Sequence, residues 1–420
     1  MAAFIFLTFM LLQASLPKFG LQFFLENALK NNPSIKEYHQ QIAVSKLQKE
    51  LISAQYSTPQ IYLTANYLFV PYFNNGGRLI ASNPNPNAVG YESSLTNGGL
   101  YAAQLNVDKF LFNGAAIDAL EEQISIQQDA LTNNISVAKH ELEKQVTDQY
   151  IRTVQSFQLY TLSDTIRTNL NERLMITNEL VKHGLVTQSD YLLLQVEADN
   201  QKLSLNDSYS QYRTNVNQLF TMCGMGDSAA IELDTLNLPL YPAGETSHYF
   251  NKYESDNSLL LNQQRVFESK YSPQVKAFFN TGLNAVEIEN IRQKFGLSIG
   301  LDFSIPIFDG NQKSITRQQN AMLQQSLREY KNSFANQLQN QRRNSRAQMG
   351  ILKTGLENIS QQSTNYRKVI DLSERQLQRG QISMIEYLTV LKNFNELRKN
   401  KINSEANYQL LISDYNYWNW

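Results

Sequence analysis

The chain has 420 residues, with 37 basic and 38 acidic side chains, a net charge of −1 and one cysteine. This balance excludes the strongly basic surface that most nucleic-acid binding needs. A single cysteine excludes an internal disulfide framework and a zinc site built from thiolates.

The N-terminal segment, residues 1–20, predicts a secretory signal peptide. Residues Met1–Leu16 are almost entirely apolar, and the small residues Ala14 and Ser15 lie near a cleavage point. Because no Lys or Arg precedes the apolar run, a buried N-terminal helix is the alternative. The predicted export places the mature protein beyond the inner membrane.

An internal repeat organises the rest of the chain. Phe112-Asn113-Gly114 recurs 196 residues later as Phe308-Asp309-Gly310, and His183–Leu192 recurs at the same offset as Arg379–Leu388. Chance similarity does not hold one offset over about 70 residues, so the chain contains two structural repeats. The predicted segments are a first repeat over 21–222, a linker over 223–256 and a second repeat over 257–420.

Each repeat begins with an entry helix and a pair of long strands. The strand pairs are predicted over 60–112 and 274–308. Apolar and polar residues alternate along Phe295–Ile307, which indicates a strand with one apolar face. The thirteen residues of this segment are enough for a tilted outer-membrane strand, which needs about 9–11. Aromatic rings such as those of Tyr62 and Phe278 would suit the membrane interfaces. An ordinary half-buried sheet is the alternative.

A long helix follows each strand pair. Ala115–Lys182 and Asn311–Gln378 contain no proline, and at 1.5 Å per residue each would be ~100 Å long. Apolar residues recur at helical spacing, and Gln and Asn dominate the remaining surface. This pattern favours a wall with water on both sides, with a long soluble coiled coil as the alternative.

Each long helix is predicted to end at a glycine and to turn into a return helix. The tips are predicted over 183–187 and 379–383, with Gly184 and Gly380 as left-handed C-terminal residues. Capping boxes follow at Thr187–Asp190 and Ser383–Glu386, although a box prefers Glu or Gln to Asp at its last position. The predicted entry and return helices are Gln22–Tyr56, Gln188–Met222, Asn257–Tyr271 and Met384–Asn416.

These features together resemble the TolC-like outer-membrane efflux proteins. The resemblance rests on Glu26–Ile35, on Phe-Asn/Asp-Gly before each long helix, and on the tips at Gly184 and Gly380. It implies an α+β membrane protein with four transmembrane strands and two long antiparallel helical hairpins in each protomer. A homotrimer would close a twelve-stranded β-barrel in outer-membrane lipid, continuous with an α-helical barrel in the periplasm. A periplasmic adaptor (membrane fusion) protein would dock on the tips and connect the tunnel to an inner-membrane transporter.

The resemblance also assigns residue roles. It implies that the adaptor contacts Gly184, Leu185, Thr187, Gly380, Ile382 and Ser383. The alternative is that these residues only cap the helices. The resemblance also implies that Asp190 and Glu386 form a periplasmic gate. The alternative is that both are solvated acids that only cap their helices. The polar strand residues Asn106, Asp108, Asp302 and Ser304 would line the lumen. Thr389 and Ile382 stand where a second gate carboxylate and a gate arginine occur in the family, which argues against a latch of that kind.

The sequence therefore favours a passive outer-membrane duct for efflux or type I secretion, in a bacterial cell. The competing hypothesis is a long coiled-coil structural or surface protein without transport activity. We expect no enzyme, metal or cofactor, because the four histidines have no metal-ligand spacing and no phosphate loop or nucleophile motif occurs. Cys223 is expected to be a packed thiol, and neither the cargo nor the pump can be read from the sequence.

Overall fold

A computed structural model of the chain describes residues 18–67, 101–226, 232–242, 244, 247–285 and 288–420. In chain order its elements are β1 (Lys18–Phe19), α1 (Leu21–Asn31), α2 (Pro33–Ser57), β2 (Gln60–Tyr67), β3 (Tyr101–Phe112), α3 (Gly114–Lys182), α4 (Gln188–Met222), β4 (Glu232–Leu233), α5 (Asn251–Ser269), β5 (Gln274–Ala285), β6 (Phe295–Ser304), α6 (Gln312–Gln378) and α7 (Met384–Trp418). All but the last three residues of the predicted signal peptide lie outside the described residues.

The chain divides into two units. The helical unit comprises Met1–Glu37, Asn134–Tyr249 and Asn332–Trp420, and the sheet unit comprises Tyr38–Asn133 and Phe250–Lys331. The predicted turns at residues 183–187 and 379–383 both lie in the helical unit, and all four long strands lie in the sheet unit.

The sheet unit contains an antiparallel sheet with the strand order β2-β3-β5-β6. Within the described residues, β2 and β6 each have one neighbour, so both edges of this sheet are open. The register places Leu63 opposite Leu105, Leu105 opposite Thr281, and Thr281 opposite Leu297. β6 ends at Ser304, short of the predicted end, because Pro306 has no N–H to donate to a ladder.

The prediction of one entry helix over Gln22–Tyr56 is wrong, because the chain breaks it into α1 and α2 at Asn32. The Asn32 backbone N–H closes α1 by donating to Ala28 O at 2.9 Å. Its side-chain Oδ1 accepts from the Ile35 N–H at 3.0 Å, and Pro33 occupies the first position of α2. Asparagine as N-cap followed by proline is a strong helix start, and it prevails over the continuous apolar pattern.

The linker is also shorter than the sequence predicts. A 3₁₀ turn covers His248–Phe250 and α5 starts at Asn251, six residues before the expected Asn257. No Gly or Pro occurs between Gly244 and Pro273, so nothing in that stretch opposes a helix. Linker residues 238–241 lie along α7, where the Leu238 N–H donates to Gln409 Oε1 at 2.8 Å and the Tyr241 N–H donates to Asn416 Oδ1 at 2.9 Å.

The helical unit contains several buried clusters. One joins α6 and α7 through Met349, Ile412 and Tyr415, and another lies among α1, α3 and the end of α4. Phe24, Tyr150 and Cys223 are fully buried there. The Cys223 Sγ donates to Phe24 O at 3.4 Å, and burial raises the pKa of its thiol to about 11, so it is a packed thiol, as predicted. The Tyr150 hydroxyl donates to Asp234 O at 2.8 Å. In the part of the chain that the structure describes, no helix is apolar over enough of its length to span a bilayer.

Candidate functional site

One face of the four-stranded sheet carries large apolar side chains that the described chain leaves uncovered. Leu63, Leu297 and Ile299 have exposed fractions of 74, 73 and 79%. The other large apolar residues exposed on this face are Ile61, Tyr67, Leu105, Phe295, Leu301 and Phe303. Because successive residues of a strand point to opposite faces, these side chains share one largely apolar face, on which the register also places Thr281 and Lys109. Water covers a surface of this kind poorly, so it needs lipid or another protein surface as its neighbour.

The opposite face carries a ladder of hydrogen-bonded amides and hydroxyls. The Asn106 Nδ2 donates to Thr64 Oγ1 at 2.8 Å, and Asn280 Nδ2 donates to Asn106 Oδ1 at 3.3 Å. Ser298 Oγ then donates to Asn280 Oδ1 at 2.7 Å. This chain of bonds crosses all four strands, and it buries Asn106 to 7% exposure. Asn106 thus lies on the predicted polar face but is held inside the ladder.

Charged side chains lie on the same face. Lys276 Nζ lies 3.3 Å from Asp108 Oδ2 and 3.5 Å from Asp302 Oδ2, and the Tyr62 hydroxyl donates to Asp108 at 2.9 Å. Two carboxylates thus share one ammonium group, which leaves a formal charge of −1 on this group of residues. Ser304 is exposed on this face at the end of β6. The four predicted lumen residues therefore share one face, and Lys276, which the sequence analysis missed, joins two of them.

Tyr62 and Phe278, two of the rings predicted to suit the membrane interfaces, lie on the polar face of the sheet. Phe278 covers Gly300, where an added Cβ would come within 2.4 Å of the ring atom Cζ. Tyr62 bonds to Asp108 on that same face. The alternation of the strands therefore separates both rings from the apolar face, and their place at a membrane interface stays a prediction.

The two tips have the same backbone geometry. Gly184 and Gly380 have φ values of +67° and +66°, the left-handed conformation that favours glycine. Leu185 N donates to Leu180 O at 2.9 Å, and Gln381 N donates to Gln376 O at 2.8 Å. With the Gly184 to Val181 and Gly380 to Leu377 bonds, each 3.0 Å long, these are Schellman motifs, which satisfy carbonyls at the helix end.

The return helices are capped to different degrees. Ser383 Oγ accepts from the Glu386 N–H at 3.2 Å, and Glu386 Oε2 accepts from the Ser383 N–H at 2.8 Å, which completes a capping box. The Ser383 hydroxyl also donates to Glu386 Oε2 at 3.0 Å. The backbone and hydroxyl bonds that Ser383 donates hold the pKa of the exposed Glu386 carboxyl below its usual value. Thr187 accepts from the Asp190 N–H at 3.2 Å, and its hydroxyl donates to Asp190 Oδ2 at 2.6 Å. The shorter Asp190 bonds to the hydroxyl instead of the Thr187 backbone N–H.

Exposed apolar side chains differ between the tips. Leu185 is 71% exposed at the first tip, as docking would require. At the second tip the predicted docking residue Ile382 is only partly exposed, whereas Ile385 is 60% exposed. The sequence analysis missed Ile385 because it lies between Ser383 and Glu386, the two residues whose types indicate a capping box.

A buried cluster behind the second tip was also missed. Tyr387 is 1% exposed and its hydroxyl has no partner among the described residues. The Arg173 guanidinium lies 5.1 Å from the centre of its ring and pairs with Glu374 at 3.1 Å. Arg173 lies on α3, Glu374 on α6 and Tyr387 on α7, so the cluster joins the two repeats. Among the described residues, no group of three His, Cys, Asp or Glu side chains could hold a metal ion.

Comparison with known proteins gives matches of structure only. No family model and no curated protein matches the sequence. Among solved structures, that of CusC, studied for transmembrane channel formation, has a TM-score of 0.73 at 12% identity, covering 96% of this chain and 92% of CusC. The outer-membrane channel CmeC of Campylobacter jejuni gives 0.71 at 14%, covering 95 and 85% of the two chains. The outer-membrane protein VceC of Vibrio cholerae gives 0.69 at 13%, covering 95% of each.

At these identities the likeness is one of fold, and it extends over nearly the whole of each chain. It confirms, at the level of fold, the resemblance that the strand pairs and glycine tips predict.

Proposed function

We propose that this chain, which has the fold of the TolC-like outer-membrane channels, is one protomer of a homotrimeric outer-membrane duct. The observation that carries the proposal is the open sheet with an uncovered apolar face and a hydrogen-bonded polar face. A bilayer admits a sheet only when every edge is paired, since an unpaired backbone group in lipid costs several kcal/mol. Three copies of a four-stranded sheet would close a twelve-stranded barrel, with the apolar face in lipid and the polar face around water.

The pairing of edges between protomers can be tested by disulfide crosslinking. Cys223 is first replaced by alanine, and Leu63→Cys places one cysteine on β2. Three variants then each carry a second cysteine on β6, at Phe295→Cys, Leu297→Cys or Ile299→Cys. We expect at least one β2–β6 pair to give covalent trimers on a denaturing gel, because in the proposed barrel the edges left open in one chain would pair between copies.

The matched control is the pair Leu105→Cys and Thr281→Cys, which face each other inside one sheet. This control should crosslink within a chain and leave a monomer band. A protein that is monomeric and remains in the soluble fraction would refute the duct and favour the coiled-coil structural protein.

We further propose that the tips dock a periplasmic adaptor, which connects the duct to an inner-membrane transporter. Support comes from the exposed side chain of Leu185, and we add Ile385 to the proposed docking residues because it is exposed at the second tip. Leu185→Glu combined with Ile385→Glu should abolish export in cells that depend on this chain, while trimers still form. Ile351→Glu, at an exposed position elsewhere on α6, should leave export unchanged. Unchanged export in the tip variant would remove the docking proposal.

The proposed gate consists of Asp190 and Glu386, which three protomers would bring together as rings of negative charge. Glu386→Gln keeps a hydrogen-bonding group in the capping box but removes the charge. In planar bilayers this variant should conduct cations less selectively than the unaltered channel. Identical selectivity would show that Glu386 is a solvated capping acid and nothing more.

A further inference from the structure

A groove in the helical unit is lined by residues of α3, α6 and α7. Its volume is about 390 Å³, within the range of sites for small organic molecules. Its apolar wall consists of Phe157, Leu162 and Ile402. Its polar lining includes Arg367, Arg398, Lys401 and Glu405.

The charges in this groove do not balance. Lys401 pairs with Glu405 at 3.7 Å, which accounts for the one carboxylate of the lining. Arg367 on α6 and Arg398 on α7 have no carboxylate partner among the described residues. The Arg398 guanidinium instead lies 5.9 Å from the centre of the Phe394 ring. The lining thus carries two positive charges without a counter-charge.

The charge of Arg398 is disfavoured by its surroundings. Burial of the Arg398 guanidinium lowers its pKa, and the nearby positive charge of Arg367 lowers it further. Arginine nevertheless stays protonated in proteins, so the repulsion between the two guanidinium groups persists in the free protein. An anion between them would relieve it and accept hydrogen bonds from both.

We propose that this groove binds a small organic anion, with its acidic group between Arg367 and Arg398 and its hydrophobic part against Phe157, Leu162 and Ile402. The chemical class is a carboxylate, sulfonate or phosphate attached to a compact apolar body. Planar guanidinium groups bind such acids through paired hydrogen bonds, and the apolar wall favours an amphiphile over a free inorganic ion. The inference rests on the groove itself and does not require the channel function.

The experiment uses two probes of the same shape, naphthalene-1-sulfonate and the neutral naphthalene-1-sulfonamide. Both are titrated into the full chain in a neutral detergent and binding is measured by isothermal titration calorimetry. We expect saturable binding of one sulfonate per chain, and at least tenfold weaker binding of the sulfonamide. Arg398→Gln and, separately, Arg367→Gln should each weaken sulfonate binding about tenfold, because each removes charge-assisted hydrogen bonds.

The control is Arg343→Gln, an exposed arginine of α6 that bonds to Asn340 outside the groove. This variant should bind the sulfonate as the unaltered chain does. Arg367 is also exposed, so Arg367→Gln keeps the test valid if Arg398→Gln fails to fold. No saturable sulfonate binding, equal binding of the two probes, or unchanged binding in both groove variants would each overturn the proposal.

Discussion

The two helical tips have the same backbone geometry, but the tyrosine that follows each tip is packed differently. At Gly184 and Gly380 the chain turns with nearly identical φ values and the same pair of Schellman hydrogen bonds. Behind the second tip, Tyr387 is buried under Arg173, whereas its counterpart in the first repeat, Tyr191, stays half-exposed. The repeat therefore preserves the turn, while the surrounding helices make the second tip the more firmly packed one.

The largest expected difference follows from removing the two tyrosine rings. Tyr387→Ala should lower the free energy of unfolding by about 3–5 kcal/mol, because it empties a buried site that the helices cannot readily refill. Tyr191→Ala, at a partly exposed position, should cost about 1 kcal/mol. Denaturant unfolding of the full chain, followed by circular dichroism, measures both values.

Tyr387→Phe serves as the control for this pair. Since the Tyr387 hydroxyl is buried without a partner, its removal should leave the stability unchanged or raise it. A loss as large as that of Tyr387→Ala would mean that the hydroxyl, and not the ring, holds the second tip.

An intermediate effect is expected from the glycines. Gly184→Val and Gly380→Val should each cost about 1–2 kcal/mol, because a branched side chain is strained in the left-handed conformation. Nothing lies within 4 Å of a Cβ added at either glycine, so backbone strain alone should decide the result and the two losses should match. Asparagine at either position should cost less. A clearly larger loss at Gly380 would show that the tighter packing reaches the turn itself.

The smallest expected effect is a loss of stability at acidic pH through Glu386. The pKa of Glu386 is below its usual value, so its carboxylate stabilises the capping box at neutral pH. That contribution is lost as the pH falls from the ordinary glutamate value of about 4.3 through the lowered folded value. Carbon-detected NMR, with Glu386→Gln to assign the signal, should report the lowered pKa. Ser383→Ala should move it part of the way back, because the hydroxyl bond is lost while the backbone bond remains. An ordinary pKa in the unaltered chain would contradict the reciprocal box.

The sequence predicts the regular parts of the fold well for local reasons. α4 has the predicted bounds, Gln188–Met222, because a threonine cap opens it and Gly224 follows its end. The strand pairs follow from alternation, which needs only the pleat of a single strand. The break at Asn32 and the start of α5 at Asn251 were missed, since a cap can divide a continuous pattern and a linker can turn helical when no residue opposes it.

The candidate site is less predictable, because its residues act through partners distant in sequence. Asp108 and Asp302 could be placed on a polar face from their spacing, but the role of Lys276 between them depends on the strand order β3-β5-β6. The tip position of Leu185 predicts its exposure, whereas the partial exposure of Ile382 and the greater exposure of Ile385 depend on how the return helix packs.

The sequence by itself determined the repeat, the strand faces and the turning points of the helices, since periodicity and capping are properties of neighbouring residues. Only the tertiary structure decided which side chains of separate segments meet: the shared ammonium of Lys276, the ring of Tyr387 under Arg173, and the unbalanced arginines of the groove. Such contacts depend on strand order and helix packing over hundreds of residues, so no local sequence pattern predicts them.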